Sequence, residues 1–244
     1  MTFKTLVSAF ALSMAVIGTA QAAATDTVPG DWGSFTANLG VVSDYRFRGI
    51  TQSDEHPAVQ GGIDWSHNSG LYLGAWASNV DFNDHDTHIE TDIYGGYKVE
   101  SNDLSLDVGL LGYLYPDADR DRNYDYMEVK VAGGYAIGGG NIGASINYSP
   151  NNFGDTGNAV YVGLTGDAPI ADTGFNVTGS IGRQWIDEEA AFGAPDYNDW
   201  SLGVGYDWQG FNLSAKYIDT NADGSICPDN CDGTVVVGIS RSFP

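Results

Sequence analysis

Basic side chains are the scarcest chemistry in this sequence: ten Lys and Arg stand against 32 Asp and Glu, a formal charge of −22 at pH 7. A chain this acidic is repelled by phosphate backbones, which excludes nucleic acid as a partner. Charge of either sign is thin as well, at 17% of residues against roughly 25% in soluble domains. Beyond the N-terminus there is no apolar run of about 18 residues, so a bundle of membrane-spanning helices is excluded. A membrane β-barrel is not, because its strands are apolar on one face only. Histidine is rare, with His56, His67, His85 and His88 the full set, and no serine elbow, phosphate loop or dinucleotide fingerprint occurs. No catalytic constellation is therefore assigned and the chain is read as a non-enzyme. An outer-membrane hydrolase built around His56 or His85 is the weaker alternative. What the chain holds in quantity is glycine, 33 residues, and rings: 14 Tyr, 10 Phe and 6 Trp. So many rings rule out a disordered acidic tail.

Residues 1–22 read as a secretory signal peptide. Lys4 supplies the positive start, Leu6 to Ala20 an uncharged apolar stretch, and Ala20-Gln21-Ala22 the small residues that a signal peptidase cuts after. Residues 23–244 then form the exported domain. Export places Cys227 and Cys231 in an oxidising compartment, where a local disulfide between them is expected.

From residue 34 onward apolar and polar side chains alternate at period two. In the first segment Phe35, Ala37, Leu39, Val41, Tyr45 and Phe47 share one face, while Thr36, Asn38, Asp44, Arg46 and Arg48 share the other. Twelve strands are predicted, at 34–48, 58–66, 71–80, 88–98, 104–115, 125–135, 141–149, 158–166, 174–183, 198–207, 211–219 and 234–243. Most reach the roughly 9–11 residues that a tilted strand needs to cross a bilayer. Short turns (67–70, 99–103, 136–140, 208–210) alternate with long Asn/Asp/Gly-rich loops (49–57, 81–87, 116–124, 150–157, 184–197, 220–233); 167–173, a longish turn, fits this least well. A β-sandwich has no reason to sort its connections by length, whereas an outer-membrane barrel has short periplasmic turns and long extracellular loops. The fold class is thus all-β: an antiparallel transmembrane β-barrel of about 12 strands in the cell outer membrane.

The rings agree with that orientation. Phe35, Trp65, Tyr97, Tyr135, Phe175, Tyr206, Phe211 and Phe243 fall near the periplasmic rim; Tyr45, Phe47, Tyr148, Trp200 and Tyr217 fall near the outer one. Two girdles are what bilayer interfaces select. Arg241 shares the outward face and must snorkel to the interface.

The run Gly40-Val41-Val42-Ser43-Asp44-Tyr45-Arg46-Phe47-Arg48-Gly49-Ile50-Thr51-Gln52-Ser53, followed by Pro57-Ala58-Val59-Gln60-Gly61-Gly62-Ile63-Asp64, resembles the opening of the TorF-type porins, a Gcw_chp-type group of outer-membrane proteins. Gly70 to Phe82 and the late cysteine pair before a final Val/Ile strand extend the likeness. The resemblance implies a Gram-negative outer-membrane diffusion channel. The trailing Pro244 departs from the family's terminal phenylalanine.

With the apolar face outward, the lumen receives Asp44, Asp64, Glu90, Asp92, Asp107 and Glu128 together with Arg46, Arg48, Lys98, Lys130 and Lys216. Six acids against five bases make a nearly balanced wall, whose pairs either orient solutes or simply brace the barrel. Tyr72, Tyr94, Tyr113, Tyr126 and Tyr161 point inward and narrow the bore. The acid surplus lies in the outer loops, which predicts passive diffusion of small hydrophilic solutes with mild cation preference. The partners expected are outer-membrane lipid and lipopolysaccharide, the barrel-assembly machinery and small solutes. The rival reading is a structural or adhesive barrel with a closed lumen.

Asp219-Thr220-Asn221-Ala222-Asp223-Gly224-Ser225-Ile226 matches the start of a calcium loop, with Asp219, Asn221 and Asp223 as ligands. Asn230 stands where a bidentate Glu belongs, so an acidic hairpin loop competes with that reading. Asp84-His85-Asp86-Thr87-His88 with Glu90 offers imidazole and carboxylate, but neighbouring strand positions face opposite ways and a solvated loop is expected. Apart from calcium, no cofactor is expected.

Overall fold

The structure, a computed structural model, describes residues 32–223 and 231–244. The leader and Cys227 lie outside the described residues. The alternating segments become β1 (Ser34–Val42), β4 (Ala58–Ser66), β5 (Leu71–Asn79), β6 (Ile89–Ser101), β7 (Leu104–Leu114), β8 (Tyr126–Ile137), β9 (Gly140–Ser149), β10 (Ala159–Pro169), β11 (Phe175–Ile186), β12 (Tyr197–Trp208), β13 (Phe211–Thr220) and β14 (Thr234–Phe243). Between β1 and β4 lies a miniature antiparallel pair, β2 (Arg46–Phe47) and β3 (Ile50–Thr51). Each of the twelve long strands pairs antiparallel with its sequence neighbours, and β1 closes the ring on β14, with Val41 opposite Ile239. Closure leaves no unpaired edge, the condition for putting a sheet into lipid.

The connections sort by end as expected. Residues 67–70, 102–103, 138–139, 170–174 and 209–210 turn the chain at one end, and residues 43–57, 80–88, 115–125, 150–158, 187–196 and 221–233 at the other. Among the described residues the connections at the long-loop end hold seventeen acids and four bases.

Outward positions form an apolar belt. Val108, Val131 and Ile146 lie side by side on β7, β8 and β9 and are 53%, 51% and 53% exposed. Aliphatic surface of this extent, wrapped round a barrel, needs an apolar solvent. Rings border it: Phe35, Tyr97, Tyr135, Phe175 and Phe243 are exposed towards the short turns, and Tyr148, Trp200 and Tyr217 towards the long loops. Trp185 and Trp208 join these girdles; both lie just past the predicted strand ends at 183 and 207. Arg241 reaches the rim beneath two rings, 5.0 Å from the Phe211 centroid and 5.6 Å from that of Phe243.

The first strand is shorter than its pattern suggests. β1 stops at Val42, where the Ser43 N–H donates to the Val237 carbonyl (2.9 Å) and Ser43 Oγ accepts from the Val237 N–H (3.0 Å). Beyond that anchor the chain folds into the barrel instead of continuing along the wall. Tyr45 and Phe47 are therefore not part of the outer girdle. Tyr45 is 1% exposed and packs edge-on against Trp76, with centroids 5.4 Å apart. Asp44, Arg46 and Arg48 likewise reach the interior from this infolded segment and not from a strand of the barrel wall. Alternation persists because an inward hairpin repeats at period two just as a wall strand does.

Candidate constriction and vestibule

The infolded segment is built round a two-residue turn. Arg48 (φ 47°) and Gly49 (φ 87°) connect Phe47 to Ile50, and two consecutive left-handed residues are the signature of a type I′ hairpin. A side chain at residue 49 would be strained at this φ and crowded: its Cβ would lie 3.1 Å from both Asp199 Cβ and Thr220 Cβ. Arg46 fixes the hairpin's base. It is ion-paired with Asp44, binds Glu55 at 2.9 Å, and donates at 3.2 Å to the carbonyls of Gly49 and Asp232. Thr51 Oγ1 donates to the other oxygen of Asp44.

The turn delivers Arg48 across the lumen. Its guanidinium donates to Glu128 of β8 (2.8 Å) and Gln184 of β11 (2.8 Å) and lies over the rings of Tyr161 of β10 (4.2 Å) and Phe47 (4.6 Å). β8 and β10 are each five strands round the ring from β1, in opposite directions, so Arg48 clasps the far wall. Glu128 is 1% exposed and also accepts from Asn147 Nδ2 (2.8 Å) and the Tyr113 hydroxyl (3.2 Å). Glu90 accepts from the hydroxyls of Tyr45 and Tyr115, both at 2.7 Å. Asp92 is fully buried beside it on the inward face of β6, and neither of its carboxylate oxygens meets a donor among the described residues.

Towards the short turns the interior opens. Asp64, Tyr72, Lys98, Asn176, Ser214 and Ser240 face inward and are only partly buried. Lys130 pairs with Asp107 at 3.1 Å, the Tyr72 hydroxyl donates to Asp107 at 2.8 Å, and Lys98 pairs with Glu100 at 2.6 Å. Lys216 lies on the inward face of β13. Each of the eleven charged residues assigned to the lumen from sequence thus reaches the interior, eight from the wall and three from the hairpin. Asp199, buried and taking the Tyr161 hydroxyl at 3.2 Å, was missed. The outward positions of Trp200, Leu202 and Val204 already put Asp199 on the opposite face. It is a seventh acid beside the six assigned from sequence.

Above the hairpin, at the long-loop end, lies a cavity of about 330 Å3. Its floor is Phe47, Arg48, Ile50, Thr51 and Gln52; its walls are Glu90, Tyr113, Tyr115, Tyr126, Gln184 and Tyr197; the loops add Asp81, Phe82, Tyr124, Asn152, Phe153 and Phe192. Phe82, Tyr115, Tyr124 and Phe153 pack on one another, with the Tyr124–Phe153 pair stacked at 4.3 Å. The loop rings carry no sequence signal, because loops have no period from which a facing could be read.

Two regions offer metal-type ligands. Asp54, His56 and Asp81 bring one ligand atom each within 4.8 Å of one another, joining two loops that sequence reasoning kept apart. In the calcium-like segment Asp219 accepts from the Tyr217 hydroxyl (2.8 Å) and the Thr220 N–H (2.8 Å), and Asn221 Oδ1 accepts from the Asn198 N–H (2.6 Å). Its remainder from Gly224 to Asn230 lies outside the described residues, as does Cys227; Cys231 is buried.

The 80–88 loop is tied by Asp84. Partial burial pushes this carboxyl up, but hydrogen bonds from the Thr87 N–H (2.9 Å), the Thr87 hydroxyl (2.8 Å) and the Asp86 N–H (3.2 Å), with Arg122 at 3.6 Å, outweigh it and hold the group below its usual range. A depressed carboxyl stabilises fully above its unfolded pKa, about 3.9, and loses that contribution as pH falls through the lower folded value. Amide exchange at Thr87 is therefore expected to accelerate as the pH drops below about 3.9, beyond the intrinsic rate change, and this extra step should be missing in Asp84→Asn.

Comparison with known proteins fits this architecture. The family described as "Bacterial protein of unknown function (Gcw_chp)" matches residues 26–243. No curated protein matches the sequence. Among solved structures the fold is similar to the KdgM porin (TM-score 0.56, 7% identity, 86% of this chain and 99% of that one) and to the NanC porin (TM-score 0.58, 11% identity, 86% and 100%).

Proposed function

The chain belongs to the Gcw_chp family of bacterial proteins, and we propose that it is a narrow outer-membrane channel for passive diffusion of small hydrophilic solutes, with a mild preference for cations. The observation that carries this reading is the hairpin at Arg48: it crosses the lumen and narrows it, leaving a cavity on one side and a partly exposed polar wall on the other. A purely structural barrel has no use for a constriction with space above and below it. Long loops facing outward put sixteen acids of the described residues round the mouth, the buried Asp44 left aside, and such a mouth enriches cations over roughly 8 Å at physiological salt. Selectivity then follows from bore, rings and wall charge, with no reaction step.

The protein reconstituted in planar bilayers is expected to give discrete conductance steps. Under a KCl gradient the reversal potential should favour potassium, more strongly at low salt than near 1 M, where the screening length falls to about 3 Å. Absence of steps would overturn the channel reading in favour of a closed barrel, and chloride preference at low salt would overturn the cation preference.

A further inference from the structure

We propose that the ring-lined cavity above the hairpin binds organic ammonium solutes, alkylated amines without a carboxylate, before they pass the constriction. The proposal rests on the channel reading for its purpose, but the site stands on its own chemistry.

Three features of the wall select the class of ligand. Its apolar part is aromatic: Phe82, Tyr115, Tyr124 and Phe153 form one mutually packed bank, and Tyr113 and Tyr126, stacked at 4.3 Å, form another. Ring faces attract a cation that has little hydration to lose, and that describes an alkylated ammonium better than a metal ion, which needs a cage of oxygens. The charge on the wall is net negative. Glu90 and Asp81 face the cavity, and the one basic side chain lining it, Arg48, has its guanidinium committed to Glu128 and Gln184. An anion would meet two carboxylates and a cation whose charge is already paired with Glu128.

The neutral polar groups disfavour sugars, because their amide donors are taken. Gln184 Nε2 donates to the carbonyls of Val160 and Trp185, Gln52 Nε2 to those of Ile50 and Thr51, and Asn152 Nδ2 to Thr156 Oγ1. A polyhydroxylated solute would give up its hydration here for a wall with few amide donors to spare. An alkylated ammonium has almost no hydrogen bonds to replace. The size agrees: about 330 Å3 lies at the lower end of small-molecule sites, which run from roughly 300 to 1,000 Å3.

The experiment uses the full barrel in detergent and in planar bilayers, with tetramethylammonium chloride, glucose and sodium acetate as probes. Titration calorimetry in detergent should show saturable binding of tetramethylammonium and none of glucose or acetate. In bilayers, tetramethylammonium added on the loop side should reduce potassium current. Phe153→Leu keeps the apolar volume but removes the ring, and should weaken tetramethylammonium binding about tenfold, in keeping with a partly desolvated cation–π contact. Glu90→Gln, a second variant, should weaken it as well. Conductance steps without tetramethylammonium binding would overturn the proposal and leave the channel intact, while binding without steps would overturn the channel and leave the site. Glucose binding as tightly as tetramethylammonium, or Phe153→Leu binding unchanged, would overturn the ammonium assignment.

Discussion

Arg48→Ala is expected to raise single-channel conductance severalfold and to destabilise the barrel at the same time. The two effects share one cause. Arg48 anchors the hairpin tip to the wall opposite its origin, and the guanidinium is the only cation paired with Glu128 among the described residues. Without it the hairpin loses its clasp, and Glu128, 1% exposed, keeps only Asn147 and Tyr113 as donors. Leaving one member of a buried pair uncompensated costs about 3–5 kcal/mol, whereas replacing both by apolar groups of similar volume is often close to neutral. Arg48→Met combined with Glu128→Met should therefore recover most of the stability lost by Arg48→Ala, read as the urea midpoint of the heat-modifiable gel shift. It should not restore the narrow bore. Selectivity separates the two partners: Arg48→Ala leaves a negative charge at the narrowest point and shifts the reversal potential towards cations, and Glu128→Gln shifts it the other way. If Arg48→Ala leaves conductance unchanged, the hairpin is not the constriction.

The wall of this barrel was legible in the sequence and its interior only partly so, for a physical reason. Lipid on one side and water on the other impose a period of two on every spanning strand, so strand positions, inward acids and girdle rings follow from alternation alone. Strand ends follow less well, which is how Trp185 and Trp208 escaped notice. The hairpin defeats the pattern because Tyr45, Arg46, Phe47 and Arg48 alternate as β1 does. The local clue is Arg48-Gly49, a pair suited to left-handed turn positions, set where the alternation predicts the end of a wall strand and the start of an outer loop. The vestibule was not legible. Phe82, Tyr124, Phe153 and Phe192 come from four different loops, and only closure of the ring brings those loops over one opening.

Val131→Arg is the substitution with the largest expected effect on the wall, and it asks whether the apolar belt truly lies in lipid. Val131 sits halfway along β8 between Val108 and Ile146, with aliphatic neighbours on both adjoining strands. In a bilayer an arginine at mid-depth on the lipid face costs about 2–4 kcal/mol, falling to about 0–1 near the interface. Tyr148→Arg, on the outer girdle of β9, is the matched control: it faces the same way, and its place near the headgroups lets the guanidinium snorkel. Folding into vesicles followed by urea titration should show a large loss for Val131→Arg and a small one for Tyr148→Arg. In water the order would differ, because two exposed positions on a soluble sheet would accept arginine equally well. The depth dependence, more than either value, separates a membrane barrel from a soluble one: equal costs at the two positions would mean that the belt around Val108, Val131 and Ile146 meets something other than lipid.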